Sequence, residues 1–150
     1  MLPRALILPL AAVVLVAAAC GGGGSTLTKA QYAAKLSHLC LVAADQVREL
    51  HMDGSAASWK HDGRRRVAID TRFEGALTSL KPPPSIANAV AAYTAASDRE
   101  FEDDRDALAL VEGRLHELTT LHALTDEANV DYLATARPAK RIGAAGCYIP

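Results

Sequence analysis

Three cysteines are the residues whose chemistry this sequence constrains most. Cys20 follows an apolar run, Cys40 lies in the first third of the chain, and Cys147 lies near its end. A cysteine thiol can carry a lipid, form a disulfide, bind a metal or act as a nucleophile. An odd cysteine in an exported protein needs a reason, so the first question is which of the three stands alone.

The segment before Cys20 has the features of a signal peptide. Arg4 supplies one positive charge, and residues 5–19 are uncharged and apolar apart from Pro9. As a helix, residues 5–19 would be about 22 Å long. That length is short of the ~30 Å hydrocarbon core, which favours a signal peptide over a membrane-spanning helix. We therefore expect residues 1–19 to be removed.

Two peptidases could cut this segment. Ala17-Ala18-Ala19 is an A-x-A site for ordinary signal peptidase, which would release a soluble secreted protein. Residues 16–20 also resemble a bacterial lipobox, although Ala17 stands where leucine is usual. In that interpretation Cys20 becomes the first residue of the mature chain and carries fatty acyl chains such as palmitate. Residues 20–27, with four consecutive glycines, then form a tether.

The lipobox interpretation leaves Cys40 and Cys147 as a pair. Disulfides persist in oxidising compartments outside the cytoplasm, so this pair is expected to be bonded. The spacing of Cys40 and Cys147 is unlike the C-x-x-C of redox proteins. We expect a structural disulfide, with two buried free thiols as the alternative.

The remaining reactive side chains match no established catalytic or metal-binding pattern. The sequence has no H-E-x-x-H, no G-x-S-x-G and no phosphate-binding G-x-x-x-x-G-K-[ST]. Its formal net charge of −1 and its 5% aromatic content argue against nucleic acid as a partner. We therefore expect no enzyme, no cofactor and no metal site, although five histidines are present: His38, His51, His61, His116 and His122.

Helical periodicity dominates the chain after residue 28. One apolar stripe on the first helix, from Lys29 to about His51, recurs every three or four residues. The second helix starts between residues 56 and 64 and ends at Lys81, because three prolines follow. The stripe residues of the first helix are Ala33, Leu36, Cys40, Ala43, Val47 and Leu50.

Two further helices complete the pattern. The third helix runs from Pro84 to a break at Glu112-Gly113, and the fourth continues to Ile142, with Pro138 kinking or ending its regular part. An alternative places the last turn at residues 119–125. With no alternating apolar stretch, we expect an all-α domain over residues 28–150, an up-down-up-down four-helix bundle. In such a bundle Cys147 returns towards the first helix.

Two charged runs would face each other in this bundle. Folding the second and third helices antiparallel brings residues 64–66, which are three arginines, beside the acidic run at residues 98–106. We expect a mostly exposed network of ion pairs, each contributing about 0–1 kcal/mol. A partner-binding surface or a cation site remains an alternative, although the spaced ligands of an EF-hand are missing.

Three short motifs carry a resemblance to a family. Tyr32-x-x-x-Leu36-x-x-Leu39-Cys40, the run from Leu80 to Pro84, and Ile142-Gly143-x-x-Gly146-Cys147 resemble small, uncharacterised actinobacterial exported lipoproteins. The resemblance covers residues 20–150 and implies the anchor, the helices and the disulfide, but no known activity.

We therefore expect a lipoprotein held at the extracytoplasmic face of the cell membrane through Cys20. Its role would be that of a structural or protein-interaction module of the cell envelope, with another envelope protein as a possible partner. The alternative is a bundle that binds a small molecule or lipid, in a gap left by alanines: Ala43, Ala89, Ala96 and Ala128.

Overall fold

The computed structural model describes residues 26–113 and 121–148. These ranges hold four helices and no strand, which confirms the all-α four-helix prediction. None of the helices in them combines the length and apolarity that a membrane-spanning segment requires. The helices are α1 (Lys29–Arg48), α2 (Ala56–Ser79), α3 (Ala87–Val111) and α4 (Leu121–Ile142), with short 3-10 helices at Pro84–Ile86 and Ala145–Cys147.

Each helix packs on the next one in the chain. α1 contacts α2, α2 contacts α3, and α3 contacts α4 most extensively. The chain after α4 then returns to α1, because residues 145–147 pack on that helix. Cross-helix pairs such as Arg66 with Glu100 fit an antiparallel α2–α3 hairpin.

Side-chain caps define where the first two helices begin. Thr28 forms a capping box with Gln31, in which each side chain bonds the backbone N–H of the other residue. Ser55 caps α2 by accepting from the backbone N–H of Ser58. α2 therefore begins at Ala56, at the early limit of the predicted range.

Gly63 does not delay the start of α2, although glycine weakens a helix interior. A Cβ at this position would lie 2.8 Å from the ring of Trp59 and 3.1 Å from Leu108. Gly63 is therefore a packing residue, which lets α2 approach α3 beside the buried indole.

The α3–α4 connection follows the first predicted boundary. α3 ends at Val111, and Gly113 adopts φ 71°, a left-handed conformation that favours glycine. α4 is helical from Leu121 onwards, so the alternative turn at residues 119–125 is wrong. Residues 114–120 lie outside the described ranges.

Pro138 does not end α4, which continues to Ile142. An interior proline removes one backbone hydrogen bond and costs about 3 kcal/mol. Here Pro138 lies on the buried face of α4 with Thr135, Ala139 and Ile142. Packing of that face holds the last turn in helical form.

The core consists of two apolar clusters at opposite ends of the bundle. The first cluster surrounds the disulfide and includes Tyr32, Phe73 and Ile142. The second surrounds Trp59 and includes Leu108 and Leu124. Charged side chains of α2 and α3 lie buried between these clusters, at residues 66–70 and 100–104.

Candidate functional site

The Cys40–Cys147 disulfide joins the first helix to the last described turn. Its two Cα atoms are 5.1 Å apart, and both residues belong to the first apolar cluster. This geometry confirms the predicted pairing. The Tyr93 hydroxyl lies 3.2 Å from Cys40 Sγ and must be the donor, because a disulfide sulfur has no proton. The carbonyl oxygen of Leu36 lies 3.5 Å from Cys147 Sγ.

Gly146 sets the distance between Cys147 and α1. Its backbone N–H donates to Ser37 Oγ at 3.3 Å, so the chain passes directly over α1. A Cβ at residue 146 would overlap the Ser37 carbonyl oxygen and lie 2.9 Å from Leu41 Cγ. Only glycine fits this approach without moving backbone.

We expect Gly146→Ala to lower the free energy of unfolding by about 2 kcal/mol or more, because backbone must shift to admit the methyl group. Chemical denaturation of the oxidised protein measures this loss. The matched control is Gly75→Ala, where a Cβ would meet nothing within 4 Å. Gly75 lies inside α2, so alanine there should stabilise by about 0.5–1 kcal/mol. Equal effects of the two substitutions would contradict the assigned role of Gly146.

Cys20, the predicted lipidation residue, lies outside the described residues, as do the signal peptide and most of the tether. The first described residue is Thr26, two residues before the cap of α1.

A buried charge cluster between α2 and α3 is the second feature with chemical potential. Arg66 binds three carboxylates: Nε lies 2.7 Å from Asp104 and 3.4 Å from Asp70, and Nη2 lies 3.0 Å from Glu100. The Arg66 side chain is 17% exposed, and the three carboxylates are less exposed still. If all three were ionised, the cluster would carry a net charge of −2.

Burial controls the protonation of this cluster. It raises the pKa of Asp70 to about 8 and that of Glu100 to about 7, against the opposing effect of Arg66. Burial by itself would lower the pKa of Arg66, but the carboxylates of Asp104, Asp70 and Glu100 outweigh it and raise that pKa. The cluster therefore exchanges protons near neutral pH while its arginine stays charged.

The charged runs do face each other, as predicted, but the network is not mostly exposed. That part of the prediction is wrong for Arg66 and its three partners. The sequence contained a signal: residues 66 and 70 fall at helical spacing with the apolar stripe of Ile69, Phe73 and Leu77. Glu100 and Asp104 have the same i,i+4 spacing on α3, beside Phe101. The apolar stripes and these charged side chains therefore face the same interface between α2 and α3.

The ion pairs at the periphery of the network agree better with the prediction that the network is mostly exposed. Arg64 binds Glu112 at 2.7 Å, and the arginine side chain is 84% exposed. Arg99 binds Asp131 of α4 at 3.0 Å. Such pairs contribute little to stability, since water screens them and long side chains lose entropy.

The alternative cation site at residues 102–106 does not form among the described residues. Asp104 turns inwards to Arg66, and no three His, Cys, Asp or Glu side chains in the described ranges converge as metal ligands. In the buried cluster the guanidinium of Arg66 lies among the carboxylates and supplies the positive charge that pairs with them.

None of the four alanines that suggested a ligand gap, Ala128 included, lines the depression described below. Ala96 is buried, and Ala43 and Ala89 pack against the first apolar cluster. A depression of about 490 Å³ instead lies over α4, and its lining residues all belong to that helix: Leu133, Ala136, Arg137, Lys140 and Arg141. A surface formed by one helix cannot enclose a ligand between helices.

The comparisons with known proteins add no functional assignment to this geometry. No family model, no curated protein and no solved structure matches this chain.

Proposed function

We propose that this protein is a lipoprotein anchored through Cys20 at the extracytoplasmic face of the cell membrane. Its role is that of a structural or protein-interaction module of the cell envelope. The observation that carries the proposal is the Cys40–Cys147 disulfide. Structural disulfides are typical of exported proteins, whereas thiols in the cytoplasm are kept reduced.

The disulfide also supports lipidation by accounting for two of the three cysteines. Cys20 is then the single cysteine without a partner in the chain, at a position that resembles a lipobox. Lipidation of Cys20 would account for the third cysteine of an exported protein.

The disulfide crosslink across the bundle supports a structural role. The disulfide ties α1 to the segment after α4, and Gly146 packs that segment against α1. The first and last elements of the domain are therefore held together inside one apolar cluster. The crosslink restricts the unfolded chain and so stabilises the folded form of a module that lies outside the cytoplasm.

We expect Cys20→Ala to move the protein out of the membrane fraction or to leave it uncleaved, because no lipid can then be attached. Intact mass spectrometry of the wild-type protein should show residues 1–19 removed, acyl chains on Cys20 and two hydrogens fewer for the disulfide. The control is Cys147→Ser, which should keep the lipid and lose only the disulfide. A wild-type mass without acyl chains would refute the anchor and indicate a soluble secreted protein.

A further inference from the structure

Acidic and basic side chains are segregated along the bundle. All 17 Asp and Glu residues lie in residues 45–74 and 98–131, together with nine Lys or Arg. The remaining segments of the domain contain Lys and Arg but no acidic residue. Their basic residues are Lys29, Lys35, Lys81, Arg137, Lys140 and Arg141.

The boundaries between the acidic and basic segments lie at similar levels in the four helices. Arg72 of α2 donates to Gln46 of α1 at 3.1 Å, just beside the boundary on each helix. Arg99 of α3 pairs with Asp131 of α4 at 3.0 Å, again beside both boundaries. The segregation seen along the sequence is therefore a division of the folded molecule into two halves.

The basic half is the half that contains the start of α1. A Cβ on Gly143, just after α4, would lie 3.8 Å from Ala33, about one turn into α1. Leu27 packs on the cluster that also holds Ile86, from the α2–α3 connection, and Ile142. The beginning of α1, the α2–α3 connection and the end of α4 meet there, and we call this region the basic end.

The charges of the basic end are available to a partner. All six of its Lys and Arg residues are exposed, and among the described residues none forms an ion pair with a carboxylate. Lys140 lies over the ring of Tyr148, with Nζ 5.5 Å from the ring centroid. Arg137, Lys140 and Arg141 border the surface depression on α4.

Covalent geometry keeps the basic end close to Cys20. Thr26 comes six positions after Cys20, and a chain gains at most about 3.6 Å per position. The two Cα atoms are therefore no more than about 22 Å apart in any conformation. If Cys20 carries a lipid, the basic end is the part of the bundle nearest the membrane.

We propose that the basic end is a docking surface for the anionic lipid headgroups of the membrane. Its position near the membrane rests on the proposed lipid anchor, whereas its attraction to anionic lipid does not. Each basic side chain at an anionic surface raises affinity about fivefold. The acidic half is repelled by the same surface, so the bundle stands with its basic end towards the lipid.

Vesicle binding by the full chain with Cys20→Ser tests the docking surface without any lipid anchor. The measured quantity is the ratio of the partition coefficient for vesicles with phosphatidylglycerol to that for pure phosphatidylcholine. The ratio cancels the apolar contribution of the N-terminal segment, and the variants below share its Arg4, so the comparison between them cancels that charge as well. A chain of net charge −1 with evenly spread charge gives a ratio near or below one. We expect a ratio well above one, falling in high salt.

Matched variants test whether the attraction to anionic lipid comes from the basic end of the bundle. Removing three positive charges with R137Q/K140Q/R141Q should lower the ratio by roughly a hundredfold. Removing three exposed charges from the opposite half, with R48Q/K60Q/R64Q, gives the same net charge and should lower it far less. Thermal unfolding of both variants checks that they fold. Equal losses, or a wild-type ratio near one, would overturn the proposal.

Acetylation of lysines gives a readout on the wild-type sequence itself. Peptide mass spectrometry should show that anionic vesicles protect Lys29, Lys81 and Lys140, while Lys60 in the acidic half reacts as before. Protection by inorganic phosphate alone, without vesicles, would point to free anions and overturn the docking surface. The two proposals can fail separately. If Cys20 carries no acyl chain but the ratio of partition coefficients is well above one, the lipid anchor is refuted and the docking surface is retained.

Discussion

Replacing Cys147 by serine should lower the free energy of unfolding by about 2–5 kcal/mol. The disulfide joins residues separated by 107 positions. In the chain-entropy model, a loop of that length corresponds to about 4.7 kcal/mol, the largest single contribution that we expect in this domain. Typical domains have a net stability of 5–15 kcal/mol, so the variant approaches the limit of folding at 37 °C. Urea unfolding at 25 °C measures the loss.

Serine suits this test because both positions offer its hydroxyl a partner. At residue 40 it lies near the Tyr93 hydroxyl, and at residue 147 near the Leu36 carbonyl oxygen. Cys40→Ser, Cys147→Ser and the double variant should therefore lose similar amounts, and reduced wild-type protein should match them. Losses that add in the double variant would show that the two cysteines contribute independently.

Replacing Arg66 by methionine should cost about 3–5 kcal/mol at pH 8, because three buried carboxylates lose the guanidinium that pairs with them. Methionine keeps much of the apolar stem, so packing changes little. The matched control is Arg64→Met, two residues earlier in α2. Arg64 is 84% exposed, and its loss should cost less than about 1 kcal/mol.

The cost of Arg66→Met should shrink at pH 5. In the wild type the pKa of Asp70 is raised to about 8 and that of Glu100 to about 7, so the folded state binds protons more tightly than the unfolded state. Such groups contribute stability that is fully present below about pH 4 and is lost as pH rises to about 8. Without Arg66 the carboxyl pKa values rise further, which steepens this loss.

Urea unfolding of both variants and the wild type at pH 5 and pH 8 measures the effect. A loss for Arg66→Met that is equal at the two pH values would contradict proton uptake by the cluster. A control variant that shows the same pH dependence would place the titration outside the cluster.

Periodicity predicted the helices because their apolar residues recur at the spacing of a buried face. Periodicity was less accurate in predicting which residues of an apolar stripe are buried. Ala43 and Val47 continue the α1 stripe but are only half-buried, whereas Tyr32, Leu36 and Cys40 are covered. The last turns of α1 pack on α2, without the cover that residues 145–147 give the middle of that helix, around Ser37 and Cys40. Coverage depends on neighbours that a single stripe does not specify.

The charge cluster shows a similar limit. An i,i+4 pair such as Arg66 with Asp70 has the same spacing on a solvated helix and in a core. Its burial follows from the approach of α2 to α3, which Gly63 permits by leaving room for Trp59 and Leu108. The disulfide was predictable because the lipobox interpretation of Cys20 leaves Cys40 and Cys147 as a pair, and helix direction returns Cys147 towards the first helix. The role of Gly146 was not, since it depends on a close approach to Ser37.

The position of the disulfide has a mechanical consequence. A pull applied at the two chain ends passes through Cys40 and crosses directly to Cys147, so the residues between them bear no load. Only residues before 40 and after 147 can be drawn out, and the part of α1 before Cys40 lengthens by about 23 Å when the helix becomes fully extended. Tension that unwinds the first turns of α1 would therefore leave the residues between Cys40 and Cys147 without load.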